Sequence, residues 1–364
     1  MIQFRAVGRT AKPIPILVPM VPRYKSLKKY LKRIDEVRTY SNFGPLNSDL
    51  IHRLSVFLNV PERNIQTAAN ATLALEGAIR TSDASKTIWE LPSWTFVATA
   101  HSALNAGVEF RFVDVSSDSW RAEFSDEARN VIDVLPFGEN LDLERIPPQV
   151  ETIVVDGAAS IAALRNCGVP STRKFGVVVS LHATKSLPAG EGAFFFTNSE
   201  SWSKKFRQWT NFGFDNDRSA HFQSTNAKLS EYSAAVALAS LDEFDNSQRI
   251  LLRQQEWARE IMTTQDLIPH PAMRQGISTP YWIVNFQNRS IKDFVKFSME
   301  KELISCRDWW KSGCHTQIPF KFLESFPLPV TEEIASLSLG LPFHNFLTHR
   351  DFMRISDALD AGLP

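Results

Sequence analysis

The sequence predicts an α/β protein: a mostly parallel central sheet with helices on both faces, followed by a smaller C-terminal α+β domain. Three observations predict it. Short apolar, β-branched runs alternate with stretches of helical spacing. Those strands read as continuous buried runs, which is what a sheet covered on both faces requires. A length of 364 residues exceeds one core at ~150 residues per domain, so two domains are expected: a large one over 1–244, with an N-terminal arm, and a small one over 245–364.

The elements follow in order. Residues 13–22 are Pro-rich and extended. Lys25 to Arg33 sets Leu27, Tyr30 and Leu31 at helical spacing under a basic, solvated face. Residues 40–45 carry turn chemistry. Helix resumes at Leu46 with Leu50, Ile51, Leu54 and Phe57 on one face, and Asn59-Val60-Pro61 ends it. Residues 64–69 form a strand that delivers the chain into a helix capped by Asn70. A strand at 87–92 is followed by a helix over 93–104, and further strands occupy 110–115, 130–136 and 151–156. Val177-Val178-Val179 leads into a connection holding Lys185, Gly190 and Gly192, and 193–196 is the strand that follows. A helix at 201–210 places Trp202, Phe206 and Trp209 together, and 211–214 turn. A polar loop fills 215–223, and an alanine-rich helix runs from Ser224 to about Phe244. A linker helix over 245–263 leads to a strand at 281–286, a helix at 291–303 and a last helix at 349–361.

Composition excludes several classes. Forty basic and forty acidic side chains cancel, and no Lys/Arg stripe interleaves with aromatics, so no nucleic-acid partner is expected. No window reaches the ~18 apolar residues of a membrane helix and no apolar leader opens the chain; a soluble cytoplasmic protein that does not engage a membrane is expected. Cys167, Cys306 and Cys314 are odd in number and widely spaced, which suggests neither a disulfide framework nor a metal site. The neighbouring Cys314-His315 lacks a second ligand pair.

Five places carry possible chemistry. Lys185, between two buried strands, is placed to be a Schiff-base nucleophile toward an aldehyde cofactor; a solvated strand-end lysine reads the same way locally. Ala71 and Thr72 open a helix after a strand, where free N–H groups make an anion site, although an ordinary Asn70 cap has the same sequence. Asp156 ends a buried strand before Gly157-Ala158-Ala159, where a carboxylate needs a cation or strong donor such as a protonated pyridine nitrogen; a turn aspartate is the alternative. His182 faces a substrate or packs at a strand end. Trp309 and Trp310, beside Arg307 and Asp308, line a pocket or pack the C-terminal domain.

Taken in order, eight blocks resemble the DegT/DnrJ/EryC1/StrS family of sugar aminotransferases. They are Gly44-Pro45, Asn70-Ala71-Thr72, Pro92-Ser93-Trp94-Thr95-Phe96 and Phe112-Val113-Asp114-Val115, then Asp156 with its small neighbours. Ser180-Leu181-His182-Ala183-Thr184-Lys185 with Gly190-Glu191-Gly192, Asn226-Ala227-Lys228-Leu229-Ser230-Glu231, and Leu341-Pro342-Phe343-His344 complete the set. The resemblance implies pyridoxal 5'-phosphate on the fold of aspartate aminotransferase. It implies that Lys185 holds the cofactor and shuttles a proton, Asp156 pairs with the pyridinium, and Phe96 stacks on the ring. Ala71, Thr72 and Ser180 are implied to hold the phosphate. Asn226 is implied to reach the phosphate of a neighbouring subunit, hence a homodimer with shared active sites.

The sequence also departs from that pattern. Ala159 stands where Gln or His contacts the cofactor's 3-oxygen, leaving Ser160 or a water to supply that bond. Ala71 replaces a glycine, Lys228 replaces an arginine, and the helix before the Asp156 strand is shortened to 141–150. The asparagine and lysine blocks look most like the branch acting on nucleotide-linked 4-keto-6-deoxyhexoses. That implies amino transfer from glutamate to dTDP-4-keto-6-deoxyglucose in deoxyaminosugar, O-antigen and lipopolysaccharide biosynthesis, with His182, Lys228 and Trp309 as substrate-side residues. The alternatives are a 3-keto-sugar aminotransferase of the same family, a sugar 3-dehydratase, against which Lys185 argues, and a silent member acting as regulator or scaffold.

Overall fold

The computed structural model describes residues 12–169, 171–274 and 276–363; the first eleven residues of the expected large domain lie outside them. Seven strands build the main sheet. They are β1 (Ile65–Ala68), β2 (Trp89–Pro92), β3 (Phe110–Val113), β4 (Asn130–Val134), β5 (Thr152–Asp156), β6 (Lys174–Ser180) and β7 (Ala193–Thr197), in the order β1-β7-β6-β5-β4-β2-β3. The pairs β2/β3, β2/β4, β4/β5 and β5/β6 are parallel, and β7 runs antiparallel to both β1 and β6.

Side-chain alternation along these strands divides the core in two. Ile153, Val155, Phe175, Val177, Val179, Phe194 and Phe196 face α2 (Pro45–Leu58), the first half of α6 (Glu231–Thr264) and, at its margin, α1 (Tyr24–Val37). Val154, Val178, Ala193 and Phe195 face α3 (Ala71–Thr81), α4 (Val97–Ala106) and α5 (Glu200–Trp209). A strand with both faces covered must be apolar on both, which is why 175–179 lacks the polar alternation of a half-exposed strand.

A second sheet of β8 (Ile268–Pro269), β9 (Trp282–Asn285) and β10 (Ser338–Leu341) is antiparallel, in the order β10-β9-β8. It packs with the end of α6, α8 (Arg289–Lys301) and α10 (His349–Asp360). The short α7 (Pro271–Arg274) and α9 (Pro329–Leu337) complete the element order. The extended arm expected at 13–22 joins this second unit: Ile14 N–H donates to Leu303 O at 2.9 Å and Ser305 N–H to Ile14 O at 2.9 Å. Among the described residues, no helix is long and apolar enough to cross a membrane.

Three local expectations are corrected. The helix expected from Ser93 starts at Val97, because Ser93 N–H donates to Val113 O and Ser93 O accepts from Cys314 N–H, holding 93–95 to the sheet end. The helix expected from Ser224 starts at Glu231 and runs unbroken to Thr264. Residues 225–227 spend their backbone groups on Phe212, Ala69 and Thr210 instead. Residues 141–150 form turns, not a helix; Pro147 and Pro148 oppose one, and the Arg173 guanidinium binds the carbonyls of Leu143, Ile146 and Pro147.

Candidate active site

Strand register places the sequence-nominated residues along one edge. Ala68 pairs with Ala193, Ala193 with Ser180, Val178 with Asp156, and Asp156 with Val134. The chain leaves this row at its carboxyl ends into the first turn of α3, the Lys185 connection and the Asp156 turn. In open parallel sheets, that edge is where ligands bind.

Asp156 is almost fully buried. Its Oδ2 accepts from the Thr99 hydroxyl at 2.6 Å, and its Oδ1 accepts from Ala158 N–H at 3.1 Å. Burial pushes its carboxyl above the usual carboxylate range, opposed by those two hydrogen bonds and by the nearby Lys185 charge. The Thr99 hydroxyl is itself paired with Thr95 Oγ1 at 2.8 Å, so α4 aims it.

Lys185 follows β6 through a tight turn. Its N–H donates to His182 O at 2.9 Å, Ala183 N–H donates to Gly190 O at 2.8 Å, and Gly190 adopts φ +83°, which only glycine takes without strain. Nζ donates to the Tyr281 hydroxyl at 2.8 Å, a contact from the segment just before β9. The Asn70 side chain caps α3 by accepting from Leu73 N–H at 2.9 Å, which leaves the Ala71 and Thr72 N–H groups of the first turn for a ligand. The Phe96 ring caps no hydrogen bond and is 59% exposed beside this edge. Ser180 ends β6, with its hydroxyl accepting from His182 N–H at 3.2 Å.

The substrate-side nominations are less gathered. His182 pairs through Nδ1 with the Thr184 hydroxyl at 2.9 Å and stands 3.7 Å from Glu191 through Nε2. Asn226 and Lys228 bond each other at 2.7 Å, and Lys228 Nζ lies 4.4 Å from the Phe212 ring centroid. Ala227 anchors both by accepting from Ala69 N–H and donating to Thr210 O. Trp309 packs edge-on against Tyr281 at 5.2 Å and against Phe137 at 6.0 Å. Among the described residues, no cluster of His, Cys, Asp and Glu could hold a metal.

A model of the DegT/DnrJ/EryC1/StrS aminotransferase family matches residues 24–360. The chain belongs to that family. A Mycobacterium tuberculosis protein is 26% identical over 99% of this aminotransferase and 92% of its own length. The dTDP-4-amino-4,6-dideoxy-D-glucose transaminase of Shigella dysenteriae is 28% identical, over 64% of this chain and 66% of that one. The crystal structure of DesI with its TDP-sugar product superposes with a TM-score of 0.85 at 25% identity, covering 96% of this chain and 92% of that one.

The cofactor of this aminotransferase is pyridoxal 5'-phosphate, and the residues present fit it. A buried carboxylate that holds two donors and makes no ion pair among the described residues suits a ring N–H. An uncovered aromatic ring suits a stacked pyridine, and a helix start suits a phosphate. Two contacts of these residues escaped the sequence reading. Thr99 lies inside an ordinary helix pattern, and Tyr281 directly precedes β9, 96 residues from the lysine it touches; neither position carries a local signal.

Proposed function

We propose that this aminotransferase moves an amino group from glutamate to a nucleotide-linked 4-keto-6-deoxyhexose, with dTDP-4-keto-6-deoxyglucose as the first candidate. The observation that carries the site assignment is the placement of Lys185 just after β6, beside β5, whose last residue is the buried, donor-held Asp156. The substrate class rests on the named transaminase of Shigella dysenteriae and on DesI with its TDP-sugar product.

When bound, pyridoxal phosphate supplies an aldehyde carbon that accepts the amine and a ring that takes up electrons. Lys185 would hold the cofactor at that carbon. Once displaced by the incoming amine, it would carry the proton between the donor Cα and the cofactor C4'. Asp156 would accept the ring N–H, and the two hydrogen bonds from Thr99 and Ala158 aim its carboxylate and oppose the upward push of burial on its carboxyl. Ala71 and Thr72 N–H, with the Ser180 hydroxyl, would bind the phosphate, and Phe96 would cover one ring face. Asn226, exposed, and Lys228, half-buried, on a segment anchored by the bridge of Asn211 with Asn226, would enter the site of a second copy, making a homodimer with shared sites. His182 is placed for the sugar side.

The test is spectroscopic. Glutamate should bleach the visible absorbance of the cofactor-loaded protein, and dTDP-4-keto-6-deoxyglucose should restore it, with NMR of the product fixing the aminated ring position. A spectrum that glutamate never changes would reject glutamate as donor. A spectrum restored equally by a 3-keto sugar would move the assignment to that ring position.

A further inference from the structure

Tyr281 is almost entirely buried, yet its hydroxyl spends only part of its hydrogen-bonding capacity. A phenol offers one donor and acceptor lone pairs. Lys185 Nζ occupies an acceptor position at 2.8 Å, and among the described residues no protein group accepts the hydroxyl proton. The ring is fixed from several sides. Phe137 meets it edge-on at 5.5 Å and Trp309 at 5.2 Å. Its backbone N–H donates to the Thr279 hydroxyl at 3.2 Å, which in turn donates to the Phe137 carbonyl. Phe137 is held at φ +56° and stacks on Trp310 at 4.5 Å. A non-glycine residue keeps that backbone only where its surroundings over-determine it. The charged group facing the hydroxyl is Lys185, and Arg307 lies against the Trp309 ring.

On the other side of the same cluster stands Ala159, three residues beyond Asp156, buried and without a side-chain donor. Ser160 is wholly buried and its hydroxyl has no partner among the described residues, which makes it the competing donor. Pyridoxal carries its aldehyde carbon and its 3-oxygen on adjacent ring atoms. An oxygen within hydrogen-bond reach of the nitrogen that joins the first is therefore also near the second. We propose that Tyr281 is a cofactor contact: it receives a hydrogen bond from the Lys185 amine while that amine is free, and it donates its proton to the 3-oxygen of bound pyridoxal phosphate. A residue of the second unit thereby does what Ala159 cannot. The inference rests on Lys185 as the lysine that holds the cofactor.

The experiment titrates the visible absorbance of the holoenzyme against pH in wild type, Tyr281→Phe, Tyr281→Gln and Ser160→Ala. A donated hydrogen bond stabilises the anionic 3-oxygen most when the neighbouring nitrogen has lost its proton. Removing it should therefore raise the midpoint in Tyr281→Phe by roughly one unit. Tyr281→Gln restores a donor and should return part of the shift, and Ser160→Ala should leave the midpoint in place. Turnover of Tyr281→Phe should fall roughly tenfold, with the glutamate KM changed by less than about twofold. A Tyr281→Phe midpoint equal to wild type, or equal shifts in the Phe and Gln variants, would overturn the proposal. Lys185→Ala separates the two levels. If it retains the covalent visible band, the lysine assignment itself is wrong. If it loses the band while Tyr281→Phe titrates as wild type, only the role of Tyr281 falls.

Discussion

Asp156 and Glu139 are carboxylates that burial drives toward the neutral form, and their surroundings resolve the cost differently. At Asp156, the Thr99 hydroxyl at 2.6 Å is the strongest opposing contact. Thr99→Val preserves shape and removes that donor; cofactor affinity is expected to fall roughly tenfold or more, measured by titrating the apoprotein with pyridoxal phosphate. Glu139 follows β4 beside Arg121, Arg145 and Asp133. Burial, outweighing Arg121, raises its carboxyl from 4.5 to about 7. Between those values the folded chain keeps a proton that the unfolded chain has released, so Glu139 makes stability fall as pH rises from 4.5 to 7. Glu139→Gln removes that slope. Its melting temperature should gain on wild type across this window and hold a constant lead above it, in calorimetric scans from pH 4.5 to 8.5. At this scale, Lys185 and Asp156 stood out as charged side chains beside buried apolar strands, but each also reads locally as an ordinary strand-end lysine or turn aspartate, and the ordered family-like blocks decided between the readings. Thr99 and Tyr281 did not stand out, since threonine in a helix and tyrosine at a strand start are ordinary.

Helices position the edge, and their ends are set by contacts distant in sequence. Glu231 is the clearest case. Its buried carboxylate accepts from Leu46 N–H at 2.7 Å and Asn47 N–H at 2.9 Å, capping the start of α2 from the first residue of α6. Glu231→Gln leaves one of those N–H groups facing an amide, and a loss of about 1–3 kcal/mol is expected in urea unfolding. Helix α3, whose first turn holds Ala71 and Thr72, depends on Gly77: a Cβ there would lie 2.5 Å from the Trp209 ring of α5. Gly77→Ala should push α3 off α5, lowering stability by about 1–3 kcal/mol and weakening cofactor binding despite the better helix former. Element identity was readable from period and caps. The true start of α6 was not, because helix propensity in 224–230 lost to backbone bonds with Phe212, Ala69 and Thr210.

Across the whole molecule, the two sheets meet through α6, and residues from the later half of the chain return to the first. Cys314, Phe320 and Leu328 join the core under β2 and β3, and Ser325 pairs beside Phe112. The segment bearing Asn226 and Lys228 leaves Asn226 exposed and Lys228 half-buried, between the buried Ala227 and Leu229. If it completes the site of a second copy, two inactive variants should complement. Lys185→Ala mixed with Asn226→Trp, after denaturation and joint refolding, should regain activity approaching one intact site per heterodimer, while neither alone does so. Light scattering should give twice the chain mass.

The sequence by itself determined the alternating strand and helix order, the buried apolar strands, the capped start of α3 and the position of Lys185 and Asp156 beside those strands. Each is a local property of pattern or of a charge where burial is costly. Only the tertiary structure decided that Thr99 holds Asp156, that Glu231 caps α2 and that Tyr281 meets Lys185. These contacts join residues 57, 185 and 96 positions apart. Hydrogen bonding between such partners depends on how the sheets and helices pack, and no periodicity records it.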